Sequence, residues 1–198
     1  MKKLLIIIGL AVSTAVFADS GVEFETGTEH GHFAPNLTGP VVHNNWVAVT
    51  PWTEWGNGWD AGIKFEGARD TTPGASLENK IELRVRKSIE LTDKLGVGLR
   101  VGVGEDFNQQ SPTTQTHDFA YYLLEPRATY QLSESATGVV SYRYRNAFVT
   151  GNYFQSNTYK VGIDYKVTDT DEVGFRITNK VNADERAQGL ELTYSRSF

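Results

Sequence analysis

Arginine recurs at a spacing of two in this chain, as Arg84 with Arg86 and again as Arg143 with Arg145. On an extended strand that spacing puts both guanidinium groups on one face, where their planar forks suit carboxylates. Nucleophilic hydrolysis would need Ser, His and an acid converging in space. His30, His32, His43 and His117 all fall near strand ends, and Ser76, Ser111 or Ser156 could approach them. No compact His and Ser spacing on one strand face stands out, so no enzymatic activity is expected. His30 and His32 share a face and could ligate a transition metal with a nearby carboxylate, but two imidazoles are not a ligand set, and neither a metal nor a cofactor is expected. Cysteine is absent, which excludes disulfide staples, thiolate metal sites and haem attachment.

What positions such residues depends on the compartment. Met1 to Ala18 begins with Lys2 and Lys3, continues through an apolar run from Leu4, and ends in Val16-Phe17-Ala18. This is the pattern of an export signal, with cleavage expected after Ala18 and a barrel domain over 19–198. Its apolar part is too short to cross a bilayer as a helix. Loss of Lys2 and Lys3 leaves a chain more acidic than the −5 of the whole sequence, against nucleic-acid binding, which needs a concentrated basic surface. No later segment approaches the length of a membrane helix, so an exported chain of this kind enters a membrane only as a closed sheet.

Period-two alternation supplies that sheet. In SLENKIELRVRKSIEL, Ile81, Leu83, Val85, Ile89 and Leu91 share one parity, and Glu82, Arg84, Arg86, Ser88 and Glu90 the other. LGVGLRVGVG then sets Leu95, Val97, Leu99, Val101 and Val103 against Gly96, Gly98, Arg100, Gly102 and Gly104, a face that reads as an uncrowded inner wall, or as bend points. Strands are expected at about 20–33, 44–53, 58–69, 79–91, 94–106, 117–132, 136–148, 156–168, 171–182 and 186–198, within two to four residues. The fold class is therefore all-β, a transmembrane antiparallel up-and-down barrel of ten strands, with twelve as the alternative. Short connections at 55–57, 92–93, 133–135 and 169–170 alternate with longer ones at 34–43, 70–78, 107–116 and 149–155, before a tight one near 183–185. Short periplasmic turns alternating with longer external loops is the rhythm of such barrels.

The apolar parity faces lipid, and Trp52, Trp55 and Trp59 are expected in an interfacial girdle. The chain ends on an alternating strand with Leu190, Leu192, Tyr194 and a terminal Phe198, which resembles the signal read by the outer-membrane assembly machinery. Glu23, Glu25, Glu29, Asp60, Glu66 and Glu191 point inward from strands one, three and ten. Arg84, Arg86, Arg100, Arg127, Arg143, Arg145, Lys160, Lys166, Arg176 and Lys180 do so from strands four to nine. Segregated arcs would set a transverse field across a narrow lumen and offer successive weak sites for carboxylates. Alternatively Glu82, Glu90, Glu125 and Asp164, which lie within the basic arc, pair with the arginines and fill the barrel. Asp70, Asp184 and Glu185 suit divalent ions at a lipopolysaccharide surface without completing a ligand set. Asn36-Leu37-Thr38 matches a glycosylation acceptor and is uninformative in a bacterial context.

GVVSYRYRNAF from Gly138, followed by NTYKVGIDYKV from Asn157, resembles the strand patterns of the oligogalacturonate-specific (KdgM-type) porin family over the second half of the chain. The resemblance implies a small monomeric barrel for passive uptake of acidic oligosaccharides or sialic acids. It also implies that Arg143 and Arg145, which match the family's Arg-Tyr-Arg strand, guide sugar carboxylates. That family is twelve-stranded, so ten strands here would narrow the lumen. The expected function is a narrow channel for small anionic solutes in the outer membrane of a Gram-negative bacterium. Its partners would be membrane lipid, lipopolysaccharide and the assembly machinery, and no nucleic acid. A closed barrel whose loops PNLTGPVVHN and NQQSPTTQTH carry a structural or adhesive role is the alternative, with a surface hydrolase behind it.

Overall fold

A computed structural model describes residues 19–33, 41–70, 77–109, 118–148, 155–182 and 185–198; the expected leader, His117, Ser76, Ser111, Asp184 and the Asn36 triplet lie outside them. The strands are β1 (Asp19–Phe33), β2 (Val41–Glu54), β3 (Trp59–Asp70), β4 (Leu77–Glu90), β5 (Leu95–Gln109), β6 (Phe119–Gln131), β7 (Ala136–Ala147), β8 (Ser156–Lys166), β9 (Asp171–Asn182) and β10 (Glu185–Ser197). Each pairs antiparallel with its sequence neighbours, and β1 meets β10 from Gly21↔Ser197 to Phe33↔Glu185, so ten strands close the ring. Closure leaves no open edge, which is what a sheet in hydrocarbon requires. The twelve-stranded alternative falls away.

The alternation seen in the sequence becomes an inside and an outside. On β6, Phe119, Tyr121, Leu123 and Glu125 are buried while Ala120, Leu124, Pro126 and Ala128 are exposed. Elsewhere the exposed set is apolar, including Leu83, Val101, Val140, Val161, Ile177 and Leu192, and the buried set is rich in charge, including Lys64, Glu82, Arg84, Asp164 and Glu191. That polarity is the reverse of a water-soluble domain and satisfies both faces only when the outer solvent is lipid.

Two prolines mark local costs of this sheet. Pro51 in β2 and Pro126 in β6 offer no N–H to a ladder. Accordingly the β2–β3 ladder skips from Val49↔Phe65 to Trp52↔Gly62, and the β6–β7 ladder from Leu124↔Tyr144 to Arg127↔Ser141. The opposite ladder of each strand runs through, with Val22↔Pro51 and Leu99↔Pro126.

Four tight turns join strands at the end where the described chain begins and stops. In three of them one hydroxyl organises the corner. Thr92 Oγ1 accepts from the Leu95 amide at 3.0 Å, Ser133 Oγ from Ala136 at 3.1 Å and Thr168 Oγ1 from Asp171 at 3.0 Å. The amides of Leu91, Leu132 and Val167 reach the same three residues' carbonyls at 2.8, 2.9 and 2.8 Å. The fourth turn uses Gly56, Asn57 and Gly58, all at positive φ, the region where glycine and asparagine are least strained.

Candidate functional site: an ion-paired lumen

Halfway along the barrel the inward side chains meet. Lys64 Nζ on β3 donates to Glu25 Oε2 on β1 at 2.8 Å and lies 2.9 Å from Glu66 Oε2, while Arg84 Nη1 on β4 is 3.4 Å from Glu25 Oε1. Arg84 also donates to Glu82, whose other oxygen accepts the Tyr121 hydroxyl at 2.9 Å. On the far side, Arg143 Nε donates to Glu125 Oε2 at 2.7 Å, Arg100 Nη1 stands 3.6 Å from that oxygen, and Lys160 pairs with Glu191 at 2.5 Å. The side chains of Glu25, Lys64, Arg84, Glu82, Glu125, Lys160 and Glu191 keep only 4% to 8% of their surface. Charges this dry are stable only because each is paired, and removing one partner is costly.

Above this waist, toward the long loops, Lys80 gathers Glu78 at 2.9 Å, Glu66 at 3.1 Å and the fully buried Asp106 at 3.7 Å, and Lys180 is 3.4 Å from Glu29. Phe119, Tyr121, Leu123 and Ala147 form an apolar cluster there, and Arg145 lies over the Tyr121 ring at 5.0 Å. Below the waist, Arg127 holds Asp164 at 2.8 Å, Arg176 holds its other oxygen, and Arg86 holds Asp60 at 2.6 Å. These last residues line a cavity of about 330 Å³ at the turn end, with Glu23, Arg84, Arg100 and Trp52 also in its wall.

The expected lumen residues thus point inward, with one exception: Lys166 lies at the turn-end mouth, half exposed, paired to Asp169 at 2.9 Å. Their arrangement differs from the expected arcs. Acids and bases interdigitate, because Lys64 and Lys80 on β3 and β4 bring positive charge beside Glu25 and Glu66. Both share the parity of Glu66 and Glu82, the signal by which they were legible.

Trp52 also departs from expectation. It shares the inward parity of Ala48 and Thr50, and its indole covers Gly21 inside the barrel. Only Trp55 and Trp59 stand outside, stacked at 6.3 Å, with Lys87 Nζ 5.4 Å above Trp59. The glycine face of β5 is likewise not left empty, since Tyr121 and Leu123 lean over Gly104 and Gly102. His30 sits on the outer face beside Thr28, at 3.5 Å, and among the described residues no three His, Asp or Glu side chains converge to hold a metal. The side chains of His32, His43, Asp70 and Glu185 lie outside the described set.

A closed up-and-down barrel with an apolar outer wall and a charged interior belongs to the outer-membrane class of β-barrels. No protein-family model matches the chain, and no curated protein matches it in sequence. Solved structures are similar in fold. The β domain of the Bordetella autotransporter BrkA is 10% identical, over 90% of this chain and 99% of that one, with a TM-score of 0.59. An outer-membrane channel from Pseudomonas putida F1 is 10% identical, over 94% and 97%, also at 0.59. The KdgM porin in complex with disordered oligogalacturonate is 14% identical, over 91% and 99%, at 0.45.

Proposed function

We propose that this chain is a narrow outer-membrane channel for small anionic solutes, acidic sugars among them, that is shut at rest by the ion pairs at its waist. The observation that carries the reading is the sharing of partners there: Glu25 is held by Lys64 and Arg84, and Glu125 by Arg143 and Arg100. An acid with two bases in reach can exchange one for the other without ever standing bare, which lowers the cost of opening. Preference for anions is supported by guanidinium groups held loosely on either side. Among the described residues Arg145 makes no ion pair and lies over the Tyr121 ring, and Arg100 has only the 3.6 Å contact. In this reading the protein works as a monomer in the Gram-negative outer membrane, with Phe198 as its assembly signal.

Planar-bilayer recording in a KCl gradient tests it. The unaltered protein is expected to give a quiet baseline with rare brief openings, and Glu25→Gln with Lys64→Met stable, anion-preferring ones that oligogalacturonate blocks. Constitutive openings of the unaltered protein would remove the shut waist. A folded double variant that stays silent would leave the closed barrel acting through its loops.

A further inference from the structure

The outer wall differs from one side of the ring to the other. At the usual strand tilt each residue climbs about 2.5 Å along the barrel axis, so the far edge of an apolar band about 25 Å tall falls roughly ten residues from the turn end. At that height β6, β7 and β8 carry Tyr122, Tyr144 and Tyr159. Their rings are in contact with neighbours, Tyr122 with Tyr144 at 6.1 Å and with Phe148 at 5.4 Å, and Tyr159 with Tyr142 at 5.1 Å. This is an aromatic girdle at the outer-leaflet interface. Across β9, β10, β1, β2 and β3 the same height is polar. Outward positions run in register from Asn179 to Gln188 to His30, and from Thr28 to Asn45 to Arg69. Asn179, Gln188, Asn45 and Arg69 are exposed, as is Arg186 one row further up β10. Neither Arg69 nor Arg186 makes an ion pair among the described residues. The outward bases near the turn end are held, Arg196 at 3.7 Å from Asp171 and Lys87 on the Asn57 carbonyl.

We propose that the outer wall from β9 to β3 binds a phosphorylated glycolipid of the outer leaflet, of the lipid A class, its phosphates taken by Arg69 and Arg186 and its sugar groups by Asn45, Gln188 and Asn179. A side-chain amide both donates and accepts, which suits sugar hydroxyls, and a guanidinium fork suits a phosphate. A phospholipid without a sugar would leave the amides to water, and a neutral glycolipid would leave two outward cations without a counter-charge. Next along the same strands toward the turns, Val47, Leu190 and Leu192 are apolar and exposed, a surface on which acyl chains can lie. Bulk water would serve polar side chains equally on every side of the ring, whereas here the aromatic girdle gives way on one side alone.

The test is native mass spectrometry of the folded protein released from detergent micelles after titration with hexa-acylated diphosphoryl lipid A, its monophosphoryl form and phosphatidylglycerol. One diphosphoryl lipid A should be held tightly, the monophosphoryl form about ten-fold more weakly, the worth of one charge-assisted contact, and phosphatidylglycerol more weakly still. Arg69→Gln with Arg186→Gln should remove the difference between the two forms of lipid A. Asn45→Leu with Gln188→Leu should weaken both forms about ten-fold and leave phosphatidylglycerol unchanged. These four residues are exposed, so the barrel keeps its packing in both variants. Tyr122→Leu with Tyr144→Leu, on the aromatic side, should leave lipid A binding as it was. Phosphatidylglycerol held as tightly as lipid A, or a loss in the tyrosine variant equal to that in the patch variants, would make this a general annulus of anionic lipid and overturn the proposal. Absence of any tight lipid A would make the patch a solvated wall and overturn it equally. The site lies outside the lumen, so the channel reading stands or falls separately.

Discussion

Glu125 concentrates the waist's logic in one side chain. It accepts from Arg143 and from the Ser141 hydroxyl at 3.4 Å, and holds Arg100 at longer range. Glu125→Ala strands two guanidinium groups in a dry interior and should cost about 3–5 kcal/mol, measured by urea unfolding in lipid vesicles. Glu125→Asp should recover part of this. Gly104 is a second sensitive residue for a different reason. A methyl group there would stand 2.6 Å from Tyr121 Cζ and 2.7 Å from the Ile81 carbonyl. Gly104→Ala should therefore destabilise by about 1–3 kcal/mol in the same assay, with partial relief from Tyr121→Leu. The arginine pairs were readable from spacing alone, and so was the face they share. Glu82, Glu125 and Asp164, the acids within the basic arc, were readable as partners too, and they hold Arg84, Arg143 and Arg127. That Glu25 also reaches Arg84 was not, because a neighbour across the lumen is set by register and strand tilt, neither of which period-two alternation encodes.

At the scale of elements, the hairpins carry their own instructions. Leu91-Thr92-Asp93, Leu132-Ser133-Glu134 and Val167-Thr168-Asp169 repeat the order apolar, hydroxyl, acid, and each hydroxyl closes its corner onto the following strand. Losing one such bond costs about 0.5–1.5 kcal/mol. Thr92→Ala, Ser133→Ala and Thr168→Ala should each lower the urea midpoint modestly, and the triple variant about additively, since the three turns share no partners. Strand positions were legible to within a few residues, with the largest differences at the loop ends. β2 begins at Val41 instead of 44 and β5 ends at Gln109 instead of 106. There pairing such as His32↔Val41 and Leu77↔Gln109 extends the ladder past the point where the hydrophobic alternation fades. The glycines of β5 illustrate the reverse limit. Their parity was plain, but an inner wall left open to solvent and one filled by Tyr121 and Leu123 look identical until the neighbouring strand is in place.

For the whole molecule, the division between lipid and lumen can be read out with tryptophan. In single-tryptophan variants reconstituted with brominated lipid, Trp55 and Trp59 should be quenched, while Trp46 and Trp52, which cover Gly27 and Gly21 inside the barrel, should not. Quenching of Trp52 would return it to the outer girdle. The ion-paired waist belongs to this scale too. Charges from β1, β3, β4, β5, β6, β7, β8 and β10 meet at one level only because the ring closes and brings the two ends of the chain side by side.

The order of residues by itself determined the all-β class, the ten strands, the alternation of short turns with longer connections and which side chains face inward. Each follows from local geometry: a strand has a period of two, and a turn depends on a few adjacent residues. Tertiary structure alone decided that the lumen is paired instead of segregated, that the Trp52 indole folds over Gly21 and that the glycines of β5 make room for Tyr121 and Leu123. Those outcomes depend on inter-strand register and ring closure, which place residues more than a hundred positions apart, such as Glu29 and Lys180, within a few ångströms.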